Sequence, residues 1–202
     1  LNSVFSYYTL SLKSESLFKE KGSKFFGYAH PADSEAEILS ALDAVKTLHP
    51  KAKHICYAYR LGFEPIQEKV SDAGEPGGSA GLPILNQIKS AHLTNCILIV
   101  VRYFGGTKLG IPGLIHAYKT AAMEAITQNI IIEKEVVTTY VLTAPYDQAN
   151  FIFQLMKPFD GVILSQQYQQ NQVQFEIEIP KRNVNSFEAK ITEQFQIRLS
   201  SK

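Results

Sequence analysis

Two glycine-rich segments bracket an apolar run near the middle of the chain, and this arrangement limits the fold more than any other feature. The first segment is Asp72-Ala73-Gly74-Glu75-Pro76-Gly77-Gly78-Ser79-Ala80-Gly81, and the second is Gly105-Gly106-Thr107-Lys108-Leu109-Gly110-Ile111-Pro112-Gly113. Between them lies Cys96-Ile97-Leu98-Ile99-Val100-Val101, closed by Arg102-Tyr103-Phe104. Short, rich in Ile and Val and bounded by glycine, that run predicts a strand buried on both faces. Pro112 predicts the start of a helix whose apolar face is Leu114, Ile115, Tyr118, Ala121, Ala122, Ala125 and Ile126. Strand, glycine loop and helix in succession aim backbone N–H groups and the positive end of a helix dipole at an anion. The first segment suits neither a strand nor a helix interior. Ser79 is its candidate cap for a helix carrying Leu82, Leu85 and Ile88 on one face.

Around this centre the pattern alternates strands and helices. Strands are predicted over residues 7–12 and 25–29, with a Lys-Gly-Ser turn between them. Ser34 and Glu37 form a capping box for a helix that buries Ile38, Leu39, Leu42 and Val45 and ends before His49-Pro50. Residues 54–61 alternate with Ile55, Tyr57 and Tyr59 on one side, then turn into a partner strand over 67–70. Residues 130–134 read as a seam between domains 1–134 and 135–202. Beyond the seam the order is strand 136–143, helix 148–156, strands 162–168 and 172–179, helix 184–193 and strand 195–199. Asp160-Gly161 and Gln170-Asn171 mark the turns. That order is the split βαβ, ferredoxin-like plan. The fold class expected is therefore α+β in two domains.

Composition removes several functions. A hydrophobic content of 45% supports a packed core, and a net charge of +1 excludes a strongly basic nucleic-acid binder. Positive and negative residues balance on both sides of residue 135, so any nucleic-acid surface must be a local patch. Cys56 and Cys96 sit in apolar contexts and read as buried free thiols of a reducing compartment. No run approaches the ~20 apolar residues of a membrane span, and no basic-then-apolar leader opens the chain. A cytoplasmic location without membrane attachment is expected.

The candidate anion or nucleic-acid site consists of Arg102, Lys108 and the backbone of Gly105, Gly106 and Thr107, with Glu75, Ser79, His54 and Tyr103 as neighbours. An alternative stays open: the glycines make a tight connection, and Arg102 pairs with Glu75 or Asp72. The loop lacks the glycine spacing of a Walker P-loop and of the dinucleotide fingerprint. Gly77-Gly78-Ser79-Ala80-Gly81 matches the G-x-S-x-G nucleophile pattern in letters, but the preceding residues are polar strand breakers, where the motif needs a buried strand. A small hydrolase built on the Glu75–Ser79 segment is thus a secondary reading, and a non-enzymatic binding protein the primary one. Among His30, His49, His54, His92 and His116 no metal-ligand spacing occurs, so neither metal nor cofactor is expected. Tyr57, Tyr59, Tyr103 and Phe104 suit core packing, or stacking on exposed bases. Tyr103-Phe104 is the pair expected to be partly exposed.

The same residues resemble a known family. Gly81, Ile84-Leu85, Ile88, Leu93, Ile99-Val100, Arg102, Tyr103-Phe104, Gly105-Gly106, Leu109 and Gly110 fall at the spacing of the IMPACT family in its bacterial branch. Lys21-Gly22-Ser23-Lys24-Phe25 and His54-Ile55-Cys56-Tyr57-Ala58-Tyr59 agree with it. Pro112 stands where the common pattern has Gly, and His116 where it has Arg. The resemblance implies an N-terminal domain akin to a ribosomal-protein fold and a ferredoxin-like tail akin to domain five of elongation factor G. It also implies a role in translation. RNA or the ribosome is the partner it suggests, or a protein, since eukaryotic relatives act in translational control through a protein partner. A protein-interaction adaptor docking through the C-terminal sheet is the third reading.

Overall fold

The computed structural model describes residues 4–169, 171–194 and 196–201. The chain divides into two compact units, one of Tyr7–Lys134 and one of Glu135–Lys202 together with the residues up to Ser6. The start of the chain belongs with the second unit because the Phe5 carbonyl accepts from the Val136 amide at 2.8 Å.

In chain order the first unit holds β1 (Ser6–Leu10), β2 (Ser14–Glu20), β3 (Ser23–Pro31), α1 (Glu35–Leu48), β4 (His54–Leu61) and β5 (Gln67–Ser71). It continues with α2 (Gly81–Ser90), β6 (Cys96–Tyr103), α3 (Gly110–Thr127) and β7 (Ile131–Glu135). Five strands form an antiparallel sheet in the order β2-β3-β6-β4-β5, and β1 pairs with β7 in a separate ribbon. The apolar run is the central strand. Cys96, Leu98 and Val100 pack under α2 and α3, while Ile97, Ile99 and Val101 pack against α1. Burial on both faces follows from this central place between two helical layers.

One strand differs from the sequence reading. The turn at Lys21-Gly22 is entered not from residues 7–12 but from β2, and both turn residues have positive φ, 45° and 79°, as a tight two-residue hairpin requires. β2 escapes the periodicity test because its Ser-Glu-Ser-Leu-Phe-Lys-Glu sequence half-buries polar side chains. Ser14 and Ser16 donate instead to the Ala125 and Ala121 carbonyls of α3, at 2.7 and 2.8 Å. The small stripe Ala117, Ala121 and Ala125 lets that helix lie so close.

The buried helix faces are narrower than the sequence pattern suggests. Ser34 Oγ accepts from the Glu37 amide as the capping box requires, while the Glu37 carboxylate reaches back to the Asp33 amide. Ile38, Ala41, Leu42 and Val45 form the buried stripe of α1, whereas Leu39 lies off it and is exposed. Leu82 and Ile115 face solvent for the same reason. Pro112 occupies the third position of α3, which begins at Gly110; the first-turn amides lack helical acceptors in any case, so the ring is tolerated.

The second unit contains β8 (Val137–Pro145), α4 (Ala149–Met156), β9 (Val162–Gln169), β10 (Gln172–Pro180), α5 (Val184–Thr192) and β11 (Arg198–Ser201). Their antiparallel order is β11-β8-β10-β9, as the split βαβ plan demands. Val173, Phe175, Ile177 and Ile179 bury one face of β10 against α4 and α5, and Gln174, Glu176 and Glu178 take the other. Gln170 of the anticipated turn and Phe195 of the anticipated last strand lie outside the described residues. The molecule is a two-domain α+β protein.

Candidate functional site

Both glycine segments converge on the last residues of β6. Arg102 sits opposite Phe25 of β3 and His54 of β4, on the sheet face that carries α2 and α3. Its Nη1 donates to both oxygens of Glu75, at 2.7 and 3.0 Å, and the two side chains are only 8% and 3% exposed. Tyr118 of α3, fully buried, donates its hydroxyl to the same carboxylate at 2.8 Å. The guanidinium carbon lies 5.7 and 5.6 Å from the ring centres of Phe25 and Phe104. Burial pushes the Tyr118 phenol well up, with Cys56 and Glu75 beside it acting in the same direction, so it remains a donor. Of the two alternatives left by the sequence, the Arg102–Glu75 pairing is realised. Arg102 is committed to bracing the first segment and is not free beside the second.

Asp72 closes that first segment. Its Oδ1 accepts from the amides of Ala80 and Gly81 and its Oδ2 from Gly78, at 2.8 to 3.0 Å. It thereby caps α2 from a distance, the role expected of Ser79. Ser79 is fully buried and donates its hydroxyl to the Pro76 carbonyl at 2.7 Å. No strand leads into it, so the geometry of a nucleophile elbow is not formed. His54 reaches the same segment, with Nδ1 donating to the Ala73 carbonyl at 3.0 Å.

Partial burial pushes the Asp72 carboxyl up, but its three amide donors outweigh this and hold it below the usual aspartate value. A depressed folded value means the contribution is present above the unfolded pKa of about 3.9 and is lost as pH falls through the folded one. Asp72→Ala is therefore expected to cost about 2 kcal/mol at neutral pH. In urea unfolding, the gap between parent and variant should close only in strongly acidic solution.

The second segment divides into a packed half and an open half. The Gly105 amide donates to Ser23 Oγ at 3.1 Å, and a Cβ at this position would collide with the backbone of Gly22 and Ser23. Gly105 is thus a packing glycine. Gly106 has φ of 91° and open space around it, and Thr107 and Lys108 are exposed. The amides of Gly106, Thr107 and Lys108 have no acceptor among the described residues.

On the opposite sheet face Tyr103 lines a cavity of about 380 Å³ with Gly22, Lys24, Phe26, His49 and Phe104. Phe104 is 58% exposed. Lys24 lies directly across the ladder from Tyr103. His49 links two tyrosines, with Nδ1 3.0 Å from the Tyr103 hydroxyl and Nε2 2.6 Å from that of Tyr28. One hydroxyl donates to the bare ring nitrogen and the other accepts from the N–H. Burial pulls the His49 pKa down, opposed by Glu15, which favours this neutral bridging form. Neither His49 nor Lys24 emerges as a site residue from sequence. Their partners are distant along the chain, and only the strand register brings them together.

Among the described residues no group of His, Cys, Asp and Glu is arranged to hold a metal ion. No described helix is long and apolar enough to cross a membrane. Cys56 and Cys96 are buried, and burial pushes both thiols up to about 12, which makes them poor nucleophiles.

The arrangement defines a two-domain α+β protein whose N-terminal sheet carries two braced glycine segments at one end. Residues 21–126 match the Impact N-terminal domain, and residues 142–196 match a domain of unknown function, DUF1949. The chain is similar to IMPACT family member YvyE of Bacillus subtilis, at 30% identity over 93% of this chain and 86% of that protein. It is also similar to IMPACT family member YigZ of Escherichia coli, at 32% identity over 86% of this chain and 85% of that protein. A crystal structure described as that of a hypothetical protein matches with a TM-score of 0.76 and 29% identity, covering 99% of this chain and 98% of the other. The chain belongs to the IMPACT family.

Proposed function

We propose that this protein is a non-enzymatic regulator of translation that binds single-stranded RNA, free or on the ribosome, through the open half of the second glycine segment and the aromatic cavity beside it. The observation that carries this reading is the juxtaposition of exposed Phe104 and half-buried Tyr103 with Lys24 and a glycine-lined stretch of amides that have no acceptor among the described residues. A base stacks on an aromatic face, and its phosphate accepts from amides and ammonium groups. Lys24 and Lys108 supply the charge. Arg102, Glu75, Ser79 and His54 hold the segments in shape behind the contact surface. The regulatory part of the reading rests on family membership, since the sequence resemblance ties eukaryotic relatives to translational control.

Two phosphate contacts in a single strand correspond to a log–log salt slope of about −1.4. Oligonucleotide affinity measured against salt is expected to follow that slope. Lys108→Gln should reduce the slope by about 0.7, and Phe104→Ala should weaken binding by roughly 1–3 kcal/mol at every salt concentration. A flat salt response, or full affinity in both variants, would remove the reading.

A protein partner is the second reading. β9 lies at the edge of the described sheet and exposes Val162, Leu164 and Tyr168, with Val162 and Tyr168 on opposite faces of that edge.

A further inference from the structure

A second cavity, of about 350 Å³, opens at the other end of β3, six residues and about 20 Å along the strand from Lys24. Its apolar wall comes from Leu10, Pro31 and Ile132, and its polar wall includes His30, Lys13 and Ser11. Its volume lies within the range of small-molecule sites. The carboxylates at its rim are already engaged. Asp33 accepts from Asn95 Nδ2 at 2.9 Å and from Lys134 Nζ at 3.4 Å, and Glu37 accepts from the Asp33 amide at 2.6 Å. Lys13, by contrast, is exposed and has no carboxylate partner among the described residues.

His30 is the unusual member. Only 7% of it is exposed, and its Nδ1 is sealed from solvent with no hydrogen-bond partner among the described residues. Burial, and then the Lys13 ammonium, hold its pKa below the ordinary value, so the imidazole is neutral at neutral pH. Of the two neutral tautomers, the one protonated on Nε2 leaves a lone pair buried at Nδ1, and the other would leave an N–H there; an orphaned buried N–H is the rarer case. Nε2–H is then a donor that keeps access to the cavity. A neutral imidazole with one ring N–H left to donate, lining the same cavity as an exposed ammonium that has no carboxylate partner among the described residues, gives two donors suited to one oxyanion.

We infer that this cavity is a binding site for a small organic anion, with its oxyanion group held by Lys13 and His30 and its apolar body against Leu10, Pro31 and Ile132. Carboxylates and phosphate monoesters share the required chemistry. The site is independent of the RNA surface, which lies at the opposite end of β3.

The test is an NMR titration of the full chain, following the His30 ring Cε1–Hε1 signal, assigned by its disappearance in His30→Gln. The probes are butyrate, inorganic phosphate and, as a cation control, butylamine. A saturable shift with either anion is expected, with affinity about tenfold lower in Lys13→Gln, the loss of one charge-assisted contact, and retained in Lys13→Arg. Tighter butyrate binding identifies a carboxylate with an apolar body, and tighter phosphate binding identifies a phosphate ester; both support the site. No saturable shift with either anion, an affinity unchanged in Lys13→Gln, or tighter binding of butylamine would overturn it.

Discussion

Glu75→Ala is expected to destabilise the first unit by roughly 3–5 kcal/mol, the usual loss when one partner of a buried ion pair is removed. The midpoint of thermal unfolding should fall by roughly 10 °C or more. The cause is the guanidinium left behind. Arg102 is buried beside the rings of Phe25 and Phe104, and its Nε already lacks a partner among the described residues. Without Glu75 the cation has no acceptor, and the Tyr118 hydroxyl loses one as well. The double replacement Glu75→Leu with Arg102→Met should recover most of the loss, because a buried ion pair replaced by apolar side chains of similar volume is close to neutral in stability. A single-variant loss below about 1 kcal/mol would mean that the pair contributes no more than a surface salt bridge.

The second large effect is expected at Gly105. Gly105→Ala should cost about 3 kcal/mol or more, at the upper end for overpacking. The new methyl would meet backbone atoms of Gly22 and Ser23, which cannot rotate aside as a side chain can. Gly106→Ala is the control. Its surroundings are open, so only the positive φ is strained, at about 1 kcal/mol. Chemical denaturation of the two variants should separate them clearly. Equal losses would show that backbone conformation, not the close approach, requires glycine at both positions.

Much of the fold was legible because its signals are local. The Ile/Val run, the Ser34–Glu37 box and the alternation of β10 each depend on residues within a few positions of one another. β2 was not legible, because its serines satisfy themselves on carbonyls of a helix more than a hundred residues away. Asp72 gave no cap signal, since capping is sought immediately before a helix and this carboxylate arrives from eight residues upstream of Ala80. At the site, sequence marked the right segments but left the partner of Arg102 open. It could not separate Gly105, fixed by packing, from Gly106, fixed by conformation. His49 ends a helix and carries no motif, and only the fold reveals its two tyrosine neighbours.

The histidine bridge gives the molecule a built-in optical reporter. With no tryptophan and ten tyrosines, its near-ultraviolet emission is dominated by phenol rings. Tyr103 both faces the aromatic cavity and shares its hydroxyl with an imidazole, so a guest that stacks there or breaks that hydrogen bond changes the quenching of a single fluorophore. Occupancy can then be followed without a label, with Tyr103→Phe as the spectroscopic blank.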